Sequence, residues 1–126
     1  MTEERDPLTE RIIACAIAVH RALGAGLLES AYETALCIQL AKDHLVFDRQ
    51  SLIPLYYEGQ RVGEYRPDLI VAGQVVVEVK SVLKFEPVFV AQMLTYLRIT
   101  GLQRGLILNF NRPVMRAGIK RIVLTE

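Results

Sequence analysis

Residues 66–82 read RPDLIVAGQVVVEVKSV, and they decide how the rest of the chain is understood. Gln74 to Val82 is rich in β-branched residues and predicts a strand; Ala72-Gly73 supplies a turn signal before it. Asp68 to Val71 precedes that turn, so the stretch predicts a hairpin. Side chains alternate across a strand. Val75, Val77 and Val79 therefore share one face, expected to be core, while Val76, Glu78 and Lys80 share the other. The ordinary account of Glu78 and Lys80 is a surface ion pair. Their place on so apolar a strand, after Pro67-Asp68, favours a site instead.

Asp68 reaches that face only in one register parity. A two-residue turn at Ala72-Gly73 would set Asp68 opposite Val77, on the wrong side. A three-residue turn, Val71-Ala72-Gly73, sets it opposite Val76, on the face of Glu78. Glycine in the left-handed region often closes such turns, which suits Gly73. Two carboxylates, a strand carbonyl and waters suit Mg²⁺ or Mn²⁺, ions that prefer hard oxygen ligands. A lysine beside them can orient a water or stabilise a phosphoryl transition state.

Upstream of the hairpin, Asp6-Pro7 reads as an N-cap and first helical position. Leu8, Ile12, Ala16, Val19 and Leu23 keep helical spacing up to Gly24-Ala25-Gly26. The apolar share of this helix suggests burial on more than one side, or a dimer contact. A second helix is expected from about Leu28 to Lys42. Leu52 to Tyr57 predicts a strand with Pro54 at an edge or bulge. Arg61 to Arg66 and Asp68 to Val71 form one interrupted strand or two short ones. Downstream, Pro87 to Thr100 predicts a helix stopped by Gly101, Gly105 to Phe110 a buried strand, Asn111 to Gly118 a loop and Ile119 to Leu124 a last strand. The expected order is α-α-β-β-β-α-β-β. The helix between the third and fourth strands is a crossover that makes them parallel, giving a three-layer α/β domain.

The chain has 126 residues, 52% of them hydrophobic, and a formal net charge of +1. That fits one domain, residues 1–126, with a core that needs no staples. The longest apolar run, Ile12 to Val19, is too short to span a bilayer, and the acidic start is wrong for a signal peptide, so a cytoplasmic protein without membrane contact is expected. Cys15 and Cys37 lack CxxC spacing and are expected as buried thiols. From Pro87 to Thr125 there is no acidic residue but six arginines and lysines. This is either a footprint for a phosphate backbone or a face balanced by acids elsewhere in the fold. A Gly-rich phosphate loop, a nucleophile elbow and an HExxH pattern are all absent.

The hairpin, Pro67-Asp68 followed by Glu78-Val79-Lys80, resembles the PD-(D/E)XK nuclease superfamily. Gly26-Leu27-Leu28-Glu29-Ser30-Ala31-Tyr32 is similar to the signature of the GxxExxY family, a branch assigned to that superfamily. Val19-His20-Arg21, Leu23-Gly24 and Gly105-Leu106-Ile107-Leu108-Asn109-Phe110 extend the likeness over nearly the whole chain. The resemblance implies a restriction-endonuclease-like core, a mixed sheet flanked by helices. It implies Asp68 and Glu78 as ligands of Mg²⁺ or Mn²⁺, the Val79 backbone carbonyl as a third ligand, Lys80 as the catalytic lysine, and Glu29 as the supporting helix glutamate. The apolar neighbours of Glu29 favour a buried, paired or metal-linked carboxylate there. Gln92-Met93-Leu94-Thr95-Tyr96 looks like the QxxxY motif of RecB-like exonucleases; Gln92 and Tyr96 share a helix face, where they would either bond a phosphate or stack on a base, or simply pack across the helix–sheet interface. Tyr32 is expected as a packing residue that supports Glu29 or the site, and His20 as structural or capping. The implied activity is metal-dependent hydrolysis of nucleic acid, DNA ahead of RNA, with a homodimer or an accessory protein as a further partner. The alternative is a non-catalytic module that kept the fold and binds nucleic acid or protein.

Overall fold

A computed structural model describes residues 6–125. Helix α1 spans Pro7–Leu23, with the Asp6 carboxylate accepting the Thr9 amide as its N-cap. Helix α2 spans Glu29–Lys42. Strands β1 (Phe47–Arg49), β2 (Ile53–Tyr57), β3 (Gln60–Tyr65), β4 (Leu69–Val71) and β5 (Val75–Lys80) follow, then α3 (Pro87–Thr100), β6 (Arg104–Asn109), a short 3₁₀ turn at Met115–Gly118 and β7 (Ile119–Val123). The order is thus α-α-β-β-β-β-β-α-β-β. The expected interrupted strand is two strands, and β1 adds one more. The 3₁₀ turn lies inside the expected loop.

Five strands form the main sheet in the order β1-β4-β5-β6-β7. Only β5 and β6 run parallel, joined by α3 as expected; the other neighbours are antiparallel. Strands β2 and β3 pair with each other as a separate ribbon, with a register shift next to Leu55 that agrees with the proline at position 54.

The sheet separates two cores. On one face Val75, Val77 and Val79 join Leu69, Val71, Leu106 and Leu108 under α1 and α2, through Ile12, Ile13, Ala16, Leu36 and Leu40. On the other, Val76 and Ile107 pack with Met93, Tyr96 and Leu97 of α3. Both faces of β5 are buried, which explains its near-continuous run of valines. Helix α1 buries Ile12, Ile13, Cys15, Ala16 and Val19 within this one chain, so its apolar share gives no reason to invoke a dimer; Leu23, at the end of the same helical spacing, is exposed. Both cysteines are free and buried. Among the described residues no helix is long and apolar enough to cross a membrane.

Candidate active site

The β4–β5 turn is Ala72-Gly73-Gln74, one place later than Val71-Ala72-Gly73. Ala72 and Gly73 both have positive φ, 54° and 65°, and the Gln74 amide donates to the Val71 carbonyl. That is the sign pattern of a type I′ turn, with Gln74 as an extra residue before the Val71–Val75 pair. The parity is the one the site requires, but the partner differs. Leu69 pairs with Val77, so the same register carried one residue back puts Asp68 opposite Glu78, not Val76.

At that point the ladder changes character. The Asp68 amide donates to Glu78 Oε2 at 2.7 Å, and the Val79 amide donates to Asp68 Oδ2 at 2.8 Å. Each carboxylate takes a backbone N–H of the opposite strand, which fixes both side chains side by side. Glu78 is 5% exposed. Burial pushes its carboxyl up to about 8, and the neighbouring Asp68 charge adds to the rise. Burial likewise raises Asp68 to about 6, against the Val79 amide, which lowers it. Lys80, half-buried, holds its ammonium 4.6 Å from the centre of the Phe89 ring at the start of α3.

The helix acid that approaches Asp68 is Glu33, not Glu29. Glu33 is 8% exposed on α2. It accepts from Arg49 Nε at 2.8 Å and from Gln50 Nε2, and its charge contributes to the rise in Asp68. Glu29 is exposed and accepts the Ser81 amide at 3.2 Å, just past the end of β5, where the Ser81 hydroxyl donates to the Leu27 carbonyl. Of the buried, paired or metal-linked carboxylate expected at Glu29, the pairing is present, with the Ser81 amide, but the buried acid is one helical turn away, at Glu33. Glu33 and Gln50 escaped the sequence reading; the one available signal was that Glu33 lies four residues after Glu29 on the same helix face.

Tyr32 is fully buried and stacked on Phe110, ring centroids 4.5 Å apart. Its hydroxyl donates to the Gly24 carbonyl and accepts the Leu27 amide, tying down the Gly-rich turn. His20 is buried beside the Arg112 carbonyl at 2.8 Å, a structural place. Gln92 is exposed and donates to the Tyr96 hydroxyl at 3.0 Å. The Tyr96 ring is 4% exposed and packs edge-on against Tyr65. Burial pushes its phenol up to about 12, and the Glu78 and Asp68 charges add to that, which places it near both acids. A ring so covered has no face open for stacking on a base. The basic C-terminal half is partly consumed internally: Arg121 pairs with Glu10 at 2.6 Å, and Arg112 donates to the carbonyls of Val82 and Asn111.

The family model of the PD-(D/E)XK nuclease superfamily matches residues 6–122, from the cap of α1 to the last strand. The chain belongs to the PD-(D/E)XK nuclease superfamily. The mixed sheet flanked by helices is consistent with the restriction-endonuclease-like fold of that superfamily. Membership suggests a hydrolytic nuclease and implies a nucleic acid substrate, and superfamily enzymes generally use divalent metals such as Mg²⁺ or Mn²⁺. No curated protein and no solved structure matches the chain at a significant level.

The donor chemistry fits such an ion. Among the described residues no group of three or more His, Cys, Asp or Glu side chains is arranged to hold a metal, so any ion here would rest on two acids. Mg²⁺ is commonly held by one or two carboxylates, keeping waters and substrate oxygens for the rest. Asp68 and Glu78 are two oxygen donors of that kind, one half-buried and one buried, held side by side at a cost that a cation would relieve.

Proposed function

We propose that the protein is a metal-dependent nuclease of the GxxExxY branch, hydrolysing phosphodiester bonds in nucleic acid, DNA ahead of RNA. The observation that carries this reading is the reciprocal pair of bonds from the Asp68 and Val79 amides to the Glu78 and Asp68 carboxylates. It holds two acids in place on the face that also carries Lys80. Asp68 and Glu78, with the Val79 carbonyl, would hold Mg²⁺ or Mn²⁺, which supplies charge neutralisation at the phosphoryl group and an acidified water.

The chain's own residues do the rest. Lys80 is steadied at the site by the Phe89 ring, from where it would orient the attacking water and offset the negative charge that grows on the phosphoryl oxygens. Tyr96 fixes Gln92 through the phenol–amide bond, and Gln92, exposed next to the acids' face, is the group placed to donate to a substrate phosphate. Glu29 acts indirectly, by pinning the Ser81 amide next to Lys80. Tyr32 supports it by clamping the preceding turn.

Purified protein with Mn²⁺ or Mg²⁺ should cut nucleic acid, and Lys80→Ala and Asp68→Ala should each lower the rate by at least about 100-fold. Cutting that survives both substitutions would refute the assignment. A folded wild type that binds nucleic acid but neither binds Mn²⁺ nor cuts would establish the non-catalytic alternative.

A further inference from the structure

Gln50 sits between two acids, and nothing in the reaction above uses it. It follows β1, and its backbone amide donates to the Asp68 carbonyl at 3.0 Å. It therefore stands one place beyond the Arg49–Leu69 pair, in line with Asp68. Its φ is +54°. Side chains with a Cβ rarely adopt this conformation, and it persists where surrounding structure imposes it.

The left-handed backbone has a consequence for direction. In extended chain, neighbouring residues point to opposite faces, so Gln50 would turn away from the partner of Arg49. Instead both reach Glu33. Arg49 Nε donates to Glu33 Oε2 at 2.8 Å, while Gln50 Nε2 lies 3.2 and 3.1 Å from Glu33 Oε1 and Oε2. The same Gln50 nitrogen donates to Asp68 Oδ1 at 3.1 Å. Asp68 Oδ2 is already held by the Val79 amide, so the two oxygens of Asp68 are fixed from two sides, one by backbone and one by Gln50.

We infer that Gln50 is a positioning residue that sets the direction of the Asp68 carboxylate and ties it to Glu33. An amide does this without adding a positive charge that would compete with a cation. The inference deepens the nuclease reading and rests on it only for the cation.

Two variants and three readouts test it. Gln50→Gly removes the amide and relieves the backbone at +54°. Gln50→Asn tolerates the left-handed backbone but is one methylene too short to bridge the acids. Gln50→Gly should melt no lower than wild type. Metal-free crystals of it should show Asp68 released from the Val79 amide or spread over several rotamers. Calorimetry should show Mn²⁺ affinity lower by about tenfold or more in both variants, the usual effect of losing a group that orients a ligand. A single Asp68 rotamer still bonded to Val79 in Gln50→Gly crystals, or Mn²⁺ affinity within twofold of wild type, would overturn the inference. So would a lower melting temperature with unchanged Mn²⁺ affinity, which is the result of a purely structural role. If wild type binds no Mn²⁺, the nuclease reading fails; the metal-free crystals still decide the role of Gln50.

Discussion

In the proposed site, Asp68 and Glu78 carry opposite demands from folding and from cation binding. Burial raises Asp68 from 3.8 to about 6 and Glu78 from 4.5 to about 8. Between those values the folded chain holds protons that the unfolded chain has released, so the contribution of both acids to stability is greatest at low pH and is lost as pH rises towards about 8. A cation needs the bare carboxylates, and its affinity should change in the opposite sense. Thermal melts without metal should therefore favour pH 5 over pH 8 in this contribution, and Mn²⁺ titrations should tighten from pH 6 to 8 and level off above. Affinity independent of pH over that range would place the ion elsewhere. Asp68, Glu78 and Lys80 were legible in the sequence because strand alternation reduces their meeting to a parity of the turn. Glu33 was not, because two glutamates one turn apart on α2 present the same pattern. Gln50 was not, because its contacts follow from a positive φ at a residue whose type gives no sign of one.

At the scale of elements the β4–β5 hairpin sets the site. Its turn depends on Ala72 and Gly73 in left-handed conformation, and a Cβ at Gly73 would meet nothing within 4 Å. The cost of Gly73→Ala is thus purely conformational, about 1 kcal/mol. It should appear as a melting temperature lower by a few degrees, with cutting intact well below the transition. Lost cutting in a protein that still melts cooperatively would mean that the register itself had slipped. Long periodic elements were readable: α3 has the predicted limits, with proline at its start and Gly101 in left-handed conformation after its end. Strand β1 was not. Phe47-Asp48-Arg49 is three residues long at the sheet edge, with one half-buried side chain and two exposed ones, too short to display alternation. The turn centre was missed by one residue, since the sequence does not distinguish Val71 from Gln74 as its third member.

In the whole molecule the sheet is a partition. Helices α1 and α2 fill one side with an apolar core, whereas α3 covers the other, where Val76 and Ile107 pack with Met93, Tyr96 and Leu97 and Tyr96 bonds Gln92. The order of elements predicted the layers, whereas the apolar pattern marked only the Val75–Val77–Val79 face as core; β5 is buried on both faces and carries Glu78 and Lys80, two central side chains of the proposed site. Charge was less legible: Arg121 meets Glu10, 111 residues earlier in the chain, a pairing that no local pattern reveals. The central claim, a divalent cation held by the β4–β5 acids, is tested most directly by anomalous diffraction from crystals soaked in Mn²⁺. The account predicts one peak shared by Asp68 and Glu78 at roughly 2.0–2.2 Å from an oxygen of each, with Lys80 alongside. A peak elsewhere, or none at this pair in crystals soaked above pH 8, would contradict it.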